Sequence, residues 1–188
     1  MNFQADIESC LHVLRDGGLI LYPTDTIWGI GCDATNAAAV QKIYALKQRP
    51  ETKSMIVLMA DQKELMQYVT QPDLEVFNHL KKAKKPTTVI YEGAVGLADN
   101  LLNSDGSAAI RIVKDEFCKH LIKRFRKPIV STSANISGDP SPAIYREISI
   151  AVRNGVDFIV YYRQEDTTPA EPSSLIKWAK GEAEVIRP

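Results

Sequence analysis

Leu19-Ile20-Leu21-Tyr22-Pro23-Thr24-Asp25-Thr26-Ile27-Trp28-Gly29-Ile30-Gly31 is the stretch that decides the fold class. Its first four residues are an apolar run between the helix-breaking Gly17-Gly18 and Pro23, which reads as a short buried strand. Upstream, Ile7, Leu11 and Leu14 recur at helical spacing. Downstream, Asn36 can cap a helix carrying Val40, Ile43, Tyr44 and Lys47 that ends near Pro50. Helix, buried strand and helix in succession open an α/β chain.

The alternation continues outward. Met55–Met59 reads as a strand, and Asp61 followed by Glu64 resembles a capping box. Further strands are expected at Thr88–Tyr91, Ala108–Val113, Ile129–Thr132, Phe158–Tyr161, Leu175–Trp178 and Ala183–Ile186. Helices are expected near Pro72–Ala83, Asp115–Arg126 and Ala143–Arg153. Helical crossovers in the middle of the chain fit parallel pairs, whereas the closely spaced last strands suit a hairpin or an edge. The expected fold is a twisted, mixed, largely open β-sheet with helices on its faces, in a single domain over residues 1–188.

Composition narrows the function. Lys and Arg number 23, as do Asp and Glu, so no global positive field draws the whole protein to nucleic acid or membrane, and an anion site must be local. Cys10, Cys32 and Cys118 lack CxxC spacing and suggest neither a disulfide framework nor a zinc site. The first residues lack the pattern of a signal peptide, and no apolar run approaches the roughly 20 residues that span a bilayer. The expected location is the cytoplasm.

Three segments carry candidate chemistry. Tyr22 through Gly31 takes a buried strand into hydroxyls, a carboxylate and glycines, although alone it also reads as a self-satisfied turn. Lys47-Gln48-Arg49-Pro50 sets two cations at a helix end, where both heads could meet one anion or simply be solvated. Ser131-Thr132-Ser133-Ala134-Asn135-Ile136-Ser137-Gly138 follows an apolar strand, and period two puts Ser131 and Ser133 on one face, with a helix N-cap cluster as the other reading. No GxxxxGK[ST] stretch is present, and Gly29-Ile30-Gly31 lacks the third glycine of a dinucleotide turn. His12, His79 and His120 form no metal or triad pattern. The basic runs Lys81–Lys85 and Lys119–Lys127 read as solvated C-terminal helix halves that could touch an RNA backbone.

Together these segments resemble the YrdC-type threonylcarbamoyl-AMP synthases, short single-domain form, over about residues 19–187. Pro23 through Gly31 is similar to the family's PT[ED]T-x-[YW]G-x-G, Lys47–Pro50 to its KxRP, and Ser131–Gly138 to its [ST]xSANxSG. Ala109-Ile110-Arg111, Pro172–Ile176 and Val185–Pro188 match weaker motifs. The pattern is departed from at Ser54-Met55, at Lys85-Pro86-Thr87-Thr88 and at Ser174. A YciO-like branch of the family does not keep the Lys, Arg and Asn of the Lys-Arg-Ser-Asn tetrad, and this sequence keeps all four.

The resemblance implies adenylylation of a threonine carbamate. L-threonine, bicarbonate or CO2, and ATP would be the substrates, with Mg²⁺ carried on the phosphates. Lys47 and Arg49 would be catalytic and bind the nucleotide together with Ser107, Ser133, Asn135, Ser141 and Arg187. Thr24, Arg111, Ser131 and Ser173 would grip threonine, and Thr167–Pro172 would close over the product. tRNA and downstream threonylcarbamoyl-transferase proteins are the implied partners. Two other readings stay open: an RNA-binding protein without chemistry, and a YciO-like or carbamoyl-transferase-type relative with another acceptor.

Overall fold

The computed structural model describes residues 3–51, 55–179 and 181–188, so Ser54, one of the departures from the family pattern, lies outside the described residues. In chain order the elements are α1 (Gln4–Arg15), β1 (Ile20–Tyr22), β2 (Gly29–Gly31), α2 (Ala37–Lys47), β3 (Ile56–Met59), α3 (Gln62–Tyr68), α4 (Glu75–Lys82) and β4 (Thr87–Tyr91). Then follow β5 (Ala108–Ile112), α5 (Glu116–Phe125), β6 (Ile129–Ser133), α6 (Ile150–Asn154), β7 (Phe158–Ile159), β8 (Ser174–Ala179) and β9 (Glu182–Arg187). The strands form one mixed sheet in the order β7-β1-β2-β6-β3-β5-β4-β8-β9. β1/β7, β3/β5 and β4/β8 are parallel; the other neighbours are antiparallel, including the terminal β8/β9 hairpin.

β2 has no counterpart among the expected strands, because Gly is depleted in strands and Gly29-Ile30-Gly31 reads as a turn. The reason for the glycines is a contact between residues 108 apart in sequence. Tyr22, fully buried on β1, reaches past β2 to donate its hydroxyl to the Val130 carbonyl of β6 at 2.9 Å. A Cβ at Gly31 would stand 2.5 Å from Val130 O and 2.6 Å from the Tyr22 ring, and one at Gly29 would stand 2.9 Å from Ser131 Oγ. Two bare Cα atoms therefore let the tyrosine lie across a strand.

The caps follow the sequence. Asn36 accepts from Ala39 N at 3.1 Å, Asp61 from Glu64 N at 3.0 Å and Asp115 from Cys118 N at 2.9 Å, each worth about 1 kcal/mol. Glu64 reaches back to Ala60 N, one residue beyond the usual capping-box partner. The helix expected over Ala143–Arg153 is instead a 3₁₀ turn at Tyr145–Glu147 followed by α6. Ile148 is extended there, and Ser149 caps the new start by accepting from Val152 N. The strand expected at Phe158–Tyr161 stops at Ile159, and the amides of Tyr161 and Tyr162 turn to the Asp6 carboxylate of α1 at 3.1 and 2.9 Å.

Alternation along β5 divides the molecule. Ala109 and Arg111 face one cavity, whereas Ile112 faces another, shared with Phe77 and Leu80 of α4. α1 and α5 pack on each other. No helix among the described residues is long and apolar enough to cross a membrane.

Candidate active site

The cavity faced by Ala109 and Arg111 has a volume of about 290 Å³. β6 contributes Ser131, Thr132 and Ser133, β5 contributes Arg111, and the ends of β8 and β9 bring Ser173 and Arg187. Arg49, just past α2, Ser141, Thr26 and Asn103 add to the polar lining, and among the described residues no carboxylate lines it. Three guanidiniums and a row of hydroxyls, with no carboxylate in the lining, give this cavity a cationic, hydrogen-bonding character.

Arg111 is 3% exposed. Its Nη2 lies 3.1 Å from Asp25 Oδ1 and donates to Thr26 Oγ1 at 3.2 Å, while its Nε is buried without an acceptor among the described residues. Nη2 is thus anchored, while Nε is left without a partner among the described residues. Arg187 donates through Nε and Nη2 to Ser173 O at 3.1 and 2.9 Å, and Ser173 Oγ is 2.8 Å from Thr88 Oγ1. The terminal strand therefore pins the Ser173 loop. Burial, with Arg111 nearby, holds the Arg187 pKa below its ordinary value, and burial does the same to Arg49.

Lys47 and the Ser133–Asn135 turn are locked together. The side chain is buried, and Nζ donates to Ser133 O and Asn135 O, each at 2.5 Å, with Asn135 Oδ1 at 3.3 Å. The Lys47 carbonyl accepts from Ser137 N at 2.8 Å. Gln48 takes the left-handed conformation at φ 49°, ending α2 so that Arg49 turns into the cavity. Desolvation, with Arg49 adding repulsion, lowers the Lys47 pKa to about 8.

Of the residues singled out by sequence, Arg49, Arg111, Ser131, Ser133, Ser141, Ser173 and Arg187 line this cavity together. Lys47 lies beneath the turn instead, and Asn135 lines an adjoining cavity of about 360 Å³ that shares Ser141. Thr24 faces a third cavity of about 190 Å³; its hydroxyl donates to Ile27 O and accepts from Thr26 N, shaping the loop that brings Thr26 to the main cavity. Ser107 is buried, bonded to Asp105 and to Asn103 Nδ2, and it is Asn103 that reaches the lining. Sequence reading passed over Asp25, Thr26 and Asn103. Asp25 and Thr26 sit inside the quoted Pro23–Gly31 segment; nothing around Asn103 marks it.

The Sua5/YciO/YrdC family model, described as "Telomere recombination", matches residues 12–188. The chain belongs to this family. A threonylcarbamoyl-AMP synthase of Idiomarina loihiensis is 32% identical to this family member over 159 residues, 83% of this chain and 86% of its own length. P. abyssi Sua5 complexed with L-threonine has the same fold, with a TM-score of 0.85 at 23% identity over 98% of this chain and 54% of that one. E. coli YciO shares it as well, with a TM-score of 0.83 at 24% identity, covering 98% and 89% of the two chains. This Sua5/YciO/YrdC member thus spans about half of that Sua5 and most of YciO.

Proposed function

We propose that this protein makes L-threonylcarbamoyl-adenylate from L-threonine, bicarbonate or CO2, and ATP, with release of pyrophosphate, as the first step of tRNA threonylcarbamoyladenosine modification. The observation that carries this reading is the convergence of Arg49, Arg111 and Arg187 with serine hydroxyls on one cavity without a carboxylate, beside a turn clamped by Lys47. The synthase name of the Idiomarina relative and the threonine bound by P. abyssi Sua5 support it.

Threonine's amine captures carbon dioxide as a carbamate. A carbamate oxygen then bonds to the α-phosphorus of ATP while the bond to the β-phosphate oxygen breaks and pyrophosphate leaves. Such a transfer asks the protein for position and charge rather than a nucleophile. Arg111 takes threonine's carboxylate with its free edge, and Ser131 and Ser173 flank it. Arg49 meets the phosphates with Ser133, Ser141 and Asn135, and Arg187 helps seat the nucleotide. Thr24 and Ser107 act one step back, Thr24 by placing Thr26 and Ser107 by holding Asn103. Lys47 adds its charge from beneath the Ser133–Asn135 turn.

The chain would hold Mg²⁺ through ATP: the lining offers hydroxyls, and among the described residues no group of three His, Cys, Asp or Glu side chains forms a resident site. When bound, the metal supplies charge neutralisation on the phosphates. Thr167–Pro172, which borders two of the cavities and is held by Ala170 N to Ala143 O at 3.2 Å, would shield the labile adenylate.

The test is pyrophosphate release with ATP, threonine and bicarbonate, and mass spectrometry of the product. Release should need both co-substrates and no RNA, and Arg49→Ala should lower turnover about 10²–10³-fold. An RNA-binding protein would give no release, and a relative with another acceptor would work with a different amino acid in place of threonine.

A further inference from the structure

The two lysine-rich runs of the sequence do not point away from each other. On the face of β5 opposite the cationic cavity lies a separate cavity of about 300 Å³, as large as the first and within the lower range of small-molecule sites. Its floor is apolar: Phe77 and Val113 are almost fully buried, and Leu80, Pro86 and Ile112 surround them. Lys81, Lys85, Lys114 and Lys119 stand on its rim.

Helix-end solvation does not account for this grouping. Lys81 is in the last turn of α4, where the macrodipole favours a cation. Lys119, however, lies in the first half of α5, contrary to the sequence reading of its run as a C-terminal helix half, and Lys114 precedes that helix. Neither position is favoured by the dipole. Opposing the four lysines are Asp25, which faces Arg111, and Asp61, which caps α3. Among the described residues Lys81 and Lys114 are in no ion pair, while Lys85 and Lys119 have only loose partners, Glu171 at 3.6 Å and Glu116 at 3.7 Å.

We infer that this cavity binds a small organic anion with an apolar body, the body against Phe77, Leu80 and Val113 and the anionic group between Lys81 and Lys114. The lysines come from three places in the chain and converge over apolar surface, which suits an amphipathic ligand better than a bare phosphate. The inference is independent of the reaction proposed for the opposite face, and the outcome of its test leaves that reading untouched.

The probe is 8-anilinonaphthalene-1-sulfonate, titrated by fluorescence into the full chain, wild type and Lys81→Gln/Lys114→Gln. One saturable site is expected, weakened about fivefold in the double variant as two exposed charge contacts are lost, and not displaced by saturating ATP and threonine. Leu80→Glu, which puts a negative charge in the floor, should abolish binding, with circular dichroism confirming its fold. Equal binding by wild type and the lysine variant overturns the inference, as does displacement by ATP or an absence of saturation.

Discussion

The ammonium of Lys47 lies 2.5 Å from the carbonyl oxygen of Asn135 and 3.3 Å from its Oδ1, so the last residue of α2 and the turn after β6 form one unit. The cation pair that sequence alone reads either as two heads on one anion or as solvated helix-end charges is divided in labour: Lys47 builds the turn, and Arg49 faces the cavity.

Lys47→Met keeps the bulk of the side chain and removes its donors. The carbonyls of Ser133 and Asn135 lose their partner, which should cost about 1–3 kcal/mol in urea unfolding. ATP affinity should fall with it, and Lys47→Met/Asn135→Ala should show a non-additive loss, measured by a double-mutant cycle.

The pH dependence follows from the lowered Lys47 pKa of about 8. Its deprotonation should give kcat/KM for ATP a falling limb near pH 8, and bound phosphates, which favour the ammonium, should move that limb upward in kcat. Stability runs the other way. The unfolded lysine titrates near 10.5, so between about 8 and 10.5 the unfolded state binds more protons and this group's contribution to folding rises with pH. Wild type minus Lys47→Met, compared by activity and by thermal unfolding, should show the two opposite trends.

Asp25→Asn should act through Arg111. The guanidinium loses its buried counter-charge and the anchor that fixes its edge, so KM for threonine should rise at least about tenfold while ATP affinity is retained. Asp25→Glu, with the carboxylate restored, should recover part of the loss. Equal effects on both substrates would mean general damage to the fold rather than loss of the anchor.

Gly31→Ala should destabilise by about 1–3 kcal/mol, since its methyl would meet Val130 O and the Tyr22 ring, neither of which can move without breaking the β1–β6 link. Thermal denaturation checks it, and relief of the penalty in Gly31→Ala/Tyr22→Leu, relative to Tyr22→Leu alone, would identify the ring as the obstacle.

Much of the architecture could be read locally. Asn36 and Asp61 announce their helices, because a side chain that satisfies an amide three residues on is visible within a few positions of sequence. β2 could not be read, because the reason for its glycines is a tyrosine on one neighbouring strand and a carbonyl on the other. The site divides similarly. Ser131 and Ser133 were legible from strand period, and Arg49 from its helix end. The inward turn of Lys47, the placement of Asn103 rather than Ser107, and the Asp25 anchor depend on contacts across more than 80 residues or on loop geometry that sequence spacing does not encode.

A chamber with three guanidiniums and no lining carboxylate among the described residues attracts small anions from solution. Inorganic counterions gather there and must be exchanged when the nucleotide arrives. Apparent ATP affinity should therefore depend on which salt the buffer contains as well as on its ionic strength, with sulfate, itself a divalent oxyanion, competing more strongly than chloride.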